Sequence, residues 1–144
     1  MLGGWSLNAI WTFQSGQPFT PFFPRFDPFR NEAFNRPDVV GDPRRDVPDG
    51  FAFNPAAFAS AELGRFGNAG RNIVRGDGYH SADLSVFRTF ARREGVSLQF
   101  RIESMNVLNT ANLQGPVTDL SAAGGQFVAS APPRIFQLGL KLTF

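Results

Sequence analysis

The sequence predicts an all-β, antiparallel protein, and three observations carry that expectation. Apolar and polar residues alternate one for one over several stretches, which is the period of a strand with one apolar and one polar face. The 144-residue chain holds 15 glycines and 11 prolines, which interrupt any long helical pattern. It also contains no run of about 18 apolar residues, so no helix of it spans a bilayer.

The first strand sets Trp5, Leu7, Ala9, Trp11 and Phe13 against Ser6, Asn8, Ile10, Thr12 and Gln14, and Gly16-Gln17-Pro18 closes it. A long segment, about residues 20–80, follows. Structureless connections of that length are rare in compact domains and are usually functional. Within it, FTPFFPRFDPF places Phe between prolines, which rules out a central strand. Those phenylalanines either pack locally within a large loop or contact a rim or ligand. Further on, Phe53-Asn54-Pro55-Ala56-Ala57-Phe58 reads as a turn into a short helix, with Asn54 before Pro55 as the start signal.

The second strand sets Leu84, Val86 and Phe90 against Asp83, Ser85 and Thr89, and is blurred by Phe87 and Arg88. A short charged turn, Ala91-Arg92-Arg93-Glu94-Gly95, leads to the third strand. There Val96, Leu98, Phe100 and Ile102 alternate with Ser97, Gln99, Arg101 and Glu103. A polar, Gly/Ala-rich connection over residues 109–133 precedes the fourth strand. In it Phe136, Leu138, Leu140, Leu142 and Phe144 alternate with Gln137, Gly139, Lys141 and Thr143.

A terminal aromatic is out of place in water, where chain ends fray. At a membrane interface an outward aromatic is well placed. Lipid demands that every backbone polar group be paired, so a chain without spanning helices crosses a bilayer only as a barrel. The connections fit that topology. If Phe144 lies on the periplasmic side, the short 91–95 turn is periplasmic as well. Both long connections are then extracellular, as barrel topology requires. The lipid-facing residues are then Trp5, Leu7, Ala9, Trp11, Phe13, Val96, Leu98, Phe100, Ile102, Phe136, Leu138, Leu140, Leu142 and Phe144. Trp5 and Phe144 mark one interface, and Phe19 and Tyr79 the other. Arg101, Glu103 and Lys141 lie on the opposite face, toward a lumen or, in a soluble sheet, toward water. About four strands cannot close a barrel, for which about eight is the minimum. The expected architecture is therefore an incomplete transmembrane β-barrel segment with exposed sheet edges.

Chemistry finds little purchase in the chain. It contains no cysteine, which excludes disulfides and cysteine-metal sites, and a single histidine, His80. No nucleophile elbow accompanies His80. The glycines of LGRFGNAGRNIVRGDG match neither a P-loop nor a dinucleotide fingerprint. Arg75-Gly76-Asp77 spells a tripeptide common by chance. Asp42, Asp46 and Asp49 are spaced around prolines and match no EF-hand loop. Net charge is +2 and dispersed, with Arg44-Arg45 and Arg92-Arg93 in turn contexts, which is not a nucleic-acid footprint. The expectation is no enzyme, no cofactor and no metal.

Two resemblances add to this reading. The terminal residues Gln137, Gly139, Leu142 and Phe144 resemble the C-terminal assembly signal of bacterial outer-membrane barrels. Nearly the whole chain resembles the end of a TonB-dependent receptor of the Oar-like type. The matching stretches are GGWSLNAIWTFQSGQPFTP, NRPDVVGDP, FNPAAFA, GRFGNAGRNIVRGDGYHSADLSVFRTF, VSLQFRIESMNVLNTANL and PPRIFQLGLKLTF, in family order. That resemblance implies a barrel of roughly 22 strands with a plugged lumen. It implies ligand uptake driven through a plug and an N-terminal energy-coupling motif, neither of which is in this chain. It supplies no substrate and no catalytic residue. MLGGWSLNAIW lacks the charge and apolar run of a signal peptide.

The expectation is that residues 1–144 are a C-terminal fragment of an outer-membrane barrel domain, not transport-competent alone, in a Gram-negative type outer membrane. Its expected partners are outer-membrane lipid, the barrel-assembly machinery, the remaining barrel and plug, and an energy-coupling protein reached through the missing N-terminal part. A small soluble β-rich binding module, its apolar face covered by the long loop, is the alternative.

Overall fold

A computed structural model describes residues 3–27, 34–93 and 95–144. Among them the strands are β1 (Trp5–Gln14), β2 (Pro18–Phe19), β3 (Asp38–Val39), β4 (Phe58–Ala59), β5 (Val74–Arg75), β6 (Tyr79–Arg93), β7 (Val96–Met105) and β8 (Ile135–Thr143). One 3-10 turn, Pro55–Ala57, interrupts them, so the described chain is all-β in its long elements. The chain divides into two compact units. One comprises Met1–Gln14, Tyr79–Ala111 and Ala131–Phe144, and the other Ser15–Gly78 and Asn112–Ser130.

The first unit is a four-stranded antiparallel sheet in the order β1-β6-β7-β8. Strands β1, β7 and β8 run for 10, 10 and 9 residues. A tilted strand needs about 9–11 residues to cross a bilayer. The sheet does not close. β1 and β8 are its end strands, so among the described residues each leaves one edge unpaired.

β6 is the longest strand at 15 residues, although its alternation is the least clear in the sequence. The register explains the blur. Phe87 pairs with Arg101 on the polar face, and Arg88 pairs with Phe100 on the apolar face. Each breaks the polarity of its face while keeping the ladder. The turn after β6 is shorter than expected, because β6 continues to Arg93 and β7 starts at Val96. A register irregularity between Ala91 and Arg93 and a positive φ of 85° at Gly95 turn the chain. Glu94 of the predicted turn lies outside the described residues.

At the other end of the sheet Gln14 pairs with Tyr79 and Met105 with Ile135. Both long connections therefore leave from one end. Asn106 ends β7 with φ +50° and Asn109 follows with φ +53°, a conformation that Asn tolerates better than most residues. Asn106 is 5% exposed. Its Oδ1 accepts from Thr110 N at 3.0 Å, and its Nδ2 donates to Thr110 O at 3.0 Å and Pro132 O at 3.4 Å. Its backbone N donates to Asp83 Oδ1 at 2.9 Å. One residue thus ties the end of β7 to β6 and to the segment leading into β8.

The second unit corrects the expectation of a loop without structure over residues 20–80. It has its own small core of Phe53, Ala57, Phe58 and Val74, with Phe19, Val39, Ile73 and Leu120 packed against it. Phe53 and Phe58 meet edge to face at 5.7 Å. Two short antiparallel ladders, β2 with β5 and β3 with β4, tie it together. Asn54 caps the 3-10 turn by accepting from Ala56 N at 3.0 Å, as its place before Pro55 predicts. The Gly/Ala-rich connection contributes too: Ala52 N donates to Gly125 O at 2.7 Å and Phe127 N to Gly50 O at 2.9 Å. The phenylalanines between prolines divide. Phe19 packs against the core, Phe22 meets Phe34 edge to face, Phe26 is exposed, and Phe29 lies outside the described residues.

Asp38 is the electrostatic knot of this unit. Both Arg65 terminal nitrogens donate to its two carboxylate oxygens, and Asn68 N adds a bond of 3.1 Å to Oδ1. Asn68 Oδ1 in turn accepts from Val39 N at 2.7 Å. The chain passes so close at Gly67 that a Cβ there would collide with the carbonyls of Arg36 and Pro37. The Arg65 hydrogen bond, helped by the Asn68 amide, holds the Asp38 carboxyl below its ordinary value of 3.8. Its contribution is therefore complete above the unfolded value and disappears as pH falls through the lower folded one.

Two outcomes follow from these bonds. Hydrogen exchange should show the Asn68 amide losing protection as the medium is acidified below 3.8, the ordinary Asp38 value. Asp38→Ala, which has no acceptor there, should lack that protection already at neutral pH and show no such acid step. Asn106→Ala should destabilise the sheet unit by about 1–3 kcal/mol, since it removes three part-buried hydrogen bonds to the Thr110 and Pro132 backbone. The check is the temperature at which the folded, fast-migrating form is lost on gels.

Candidate functional site

The candidate site is a face. Cross-strand pairing places Trp5, Arg88, Phe100 and Leu140 in one row, and Leu7, Val86, Ile102 and Leu138 in the next. Ala9, Leu84, Ser104 and Phe136 form a third. Trp11 and Phe13 continue the face toward the long connections and stack at 5.4 Å, and His80 stacks on Phe13 at 6.2 Å. Phe90, Leu98 and Leu142 continue it toward the short turn. A fully aliphatic row thus lies within a longer apolar face that carries aromatics toward both ends.

This face is the uncovered one. Leu138 and Leu140 are 70% and 71% exposed, Trp11 63%, and Phe144 96%. Along β7 the apolar Val96, Leu98, Phe100 and Ile102 are exposed, whereas Ser97, Gln99, Arg101 and Glu103 between them are half-buried. A soluble sheet has the opposite order. Contiguous apolar rows of this extent are rare on soluble monomers and mark a surface that meets protein or membrane.

The opposite face is polar and internally paired. Arg101 donates to Glu103 at 2.8 Å and lies over the Phe87 ring at 5.6 Å. Gln99 donates to Thr89 at 3.2 Å and is paired in the ladder with Lys141. Ser81 donates to Asp83 at 3.2 Å. This face can meet water or polar protein, not hydrocarbon.

The register shows which of the expected residues share a face, and two expected interface aromatics do not join them. Trp5, Leu7, Trp11, Phe13, Leu98, Phe100, Ile102, Phe136, Leu138 and Leu140 share the apolar face by register, and Val96 continues their alternation at the start of β7. Tyr79 pairs with Gln14 and so belongs to the polar face; the aromatic at that end of the apolar face is Phe13. Phe19 belongs to the core of the second unit. The four residues resembling an assembly signal divide between faces, with Gln137 and Gly139 opposite Glu103 and Arg101, and Leu142 opposite Leu98. A Cβ at Gly139 would meet Arg101 at an ordinary 3.6 Å, so packing within the sheet does not demand glycine there.

Two features were missed in the sequence. Arg88 was treated as noise, yet its guanidinium lies over the rings of Trp5 and Phe90 at 5.1 and 4.5 Å. The i, i+2 spacing to Phe90 was the available signal. The two asparagines of MNVLN were quoted without a role, although paired Asn at a strand end signals left-handed turn backbone.

In the second unit Arg44 and Arg75 line a cleft over Phe53 and Val74. Asp42 caps a turn by accepting from Arg44 N at 2.9 Å. Among the described residues no group of three or more His, Asp or Glu side chains is arranged to hold a metal ion. Among them, too, no helix is long and apolar enough to cross a membrane, which leaves strands as the membrane-crossing elements of any span.

Comparison with known proteins agrees with this geometry. No curated protein and no solved structure matches the chain. The family described as outer membrane beta barrel domain matches residues 1–137, ending within β8. An open antiparallel sheet with an apolar outer face and a polar inner one is what a piece of such a barrel requires, and the chain belongs to the outer membrane beta barrel domain family.

Proposed function

We propose that this chain is the C-terminal barrel portion of a TonB-dependent receptor of the Oar-like type, a part of a ligand-uptake machine of the outer membrane. The observation that carries the reading is an open sheet whose apolar face is uncovered: Leu7, Trp11, Phe13, Leu138 and Leu140 are exposed, along β7 the apolar residues are exposed and the polar ones between them half-buried, and both edges are open. Lipid is the partner of the apolar face. The unpaired edges of β1 and β8 are completed by the remaining strands of the barrel, because hydrocarbon tolerates no open edge. The polar face, with Arg101, Glu103 and Lys141, looks toward the lumen and its plug.

The barrel-assembly machinery takes hold of β8, and an energy-coupling protein acts through the plug, outside this chain. The two long connections leave one end of the sheet, and long connections of barrels are extracellular. The second unit is therefore the ligand-contacting part. Its Arg44 and Arg75 favour an anionic ligand group. No step of bond chemistry is assigned to any residue.

Reading the DNA upstream of Met1 tests the receptor identity. An in-frame signal peptide, plug and further alternating strands are expected, and stop codons immediately upstream would overturn it. In the parent receptor, Leu138→Arg should reduce the assembled, heat-modifiable fraction in outer membranes. Gln137→Arg, one residue away on the other face, should not. An arginine on the lipid face costs up to about 2–4 kcal/mol, rising with depth in the bilayer. Phe144→Ser should impair assembly far more than Phe127→Ser in the long connection, measured by the same gel shift. Equal assembly within either pair would remove the membrane reading of β8.

A further inference from the structure

Arg88 is the anomaly of the apolar face. Among the described side chains of the four strands it is the only Lys or Arg there, since Arg101 and Lys141 both point to the polar face. The two arginines of the sheet are handled differently. Arg101 has a ring beneath it and a carboxylate, Glu103, at 2.8 Å. Arg88 has two rings within cation–π reach, Trp5 at 5.1 Å and Phe90 at 4.5 Å, and no carboxylate among the described residues.

Rings satisfy the flat faces of a guanidinium. They leave its N–H donors, which lie in the plane, without acceptors. The Nε of Arg88 is buried without a hydrogen-bond partner, so the two terminal nitrogens are what the group can offer. Two parallel donors in a fixed fork match the two free oxygens of a phosphate diester. Arg88 also lies in the row begun by Trp5, the first residue of β1 and an amphipathic aromatic suited to headgroup depth.

We infer that Arg88, held beside Trp5 and Phe90, binds the phosphate of a glycerophospholipid toward the short-turn end of the barrel wall. The assignment of leaflet rests on the orientation proposed above, in which the short turn is periplasmic and the inner-leaflet lipids are phospholipids. The rings hold the cation at one depth and exclude water around it, which strengthens its pairing with the phosphate. The site fixes the vertical position of this wall in the bilayer as well as its lipid neighbour.

Native mass spectrometry of the purified full-length receptor, titrated with dioleoyl phosphatidylglycerol in detergent, tests this. Wild type should retain the lipid. Dioleoylglycerol, which has the same chains and no phosphate, should not be retained. Arg88→Gln should weaken retention about tenfold, the usual scale of a lost charge-assisted pair. Arg88→Lys should fall between the two, because it keeps charge and loses the fork. Arg101→Gln, on the polar face, should bind as wild type. Each variant is first checked for the heat-modifiable shift, and Trp5→Leu provides a second route if Arg88→Gln fails to assemble. Equal retention by Arg88→Gln, or equal retention of dioleoylglycerol, would overturn the site. Selective retention of lipid A through Arg88, with phosphatidylglycerol ignored, would overturn the leaflet. A receptor that assembles normally and shows no Arg88 dependence refutes this inference alone. A receptor that never reaches the outer membrane refutes the reading it rests on.

Discussion

Register is the constraint on which everything else rests. In a strand successive side chains go to opposite faces, so a slip of one residue would move every apolar side chain to the wrong side. β6 carries that constraint for the whole sheet because it pairs with both β1 and β7. Leu7 opposite Val86, and Val86 opposite Ile102, lock the aliphatic row, and Ile102 opposite Leu138 extends it to β8. Once these rows exist, the polar residues have no choice of face, and Arg101 finds Glu103 two residues along its own strand. The separation into two solvents follows from pairing alone.

The same register shows how a face can contain exceptions without losing its character. Phe87 on the polar side serves as a platform for Arg101, and Trp5 and Phe90 lie beside Arg88 on the apolar side. In both places an aromatic ring is the intermediary between a guanidinium and its surroundings, because a ring offers both apolar bulk and a negative face. Each misfit residue of β6 is thus matched by a partner on a neighbouring strand, Phe87 by Arg101 and Arg88 by Trp5.

Much of the sheet was legible in the sequence. Period two in β1, β7 and β8 is strong because each alternates over nearly its whole length, and the terminal Phe136-to-Phe144 stripe is unbroken. β6 was harder, since Phe87 and Arg88 exchange polarity at adjacent positions. The second unit was largely hidden. Its core residues Phe53, Phe58 and Val74 follow no period, and its ladders are two residues long, too short to leave an alternating pattern. Only the Asn54-Pro55 start signal showed locally. Asp38 and Arg65 are separated by 27 positions, and nothing nearby announces their pairing. Arg88 was visible as a break in a pattern, but its meaning depends on Trp5, which only pairing brings beside it.

The second unit is assembled from two stretches, Ser15–Gly78 and Asn112–Ser130, with β6 and β7 lying between them in the chain. That interleaving sets an order of events. The first stretch can form its own turns locally, whereas the Ala52–Gly125 and Phe127–Gly50 hydrogen bonds must close a loop that contains β6 and β7. Closing contacts over such separations is slow, because the chain between must first be ordered. The β6–β7 hairpin is therefore the natural pacemaker of the second unit, because pairing it shortens the effective loop between that unit's two stretches.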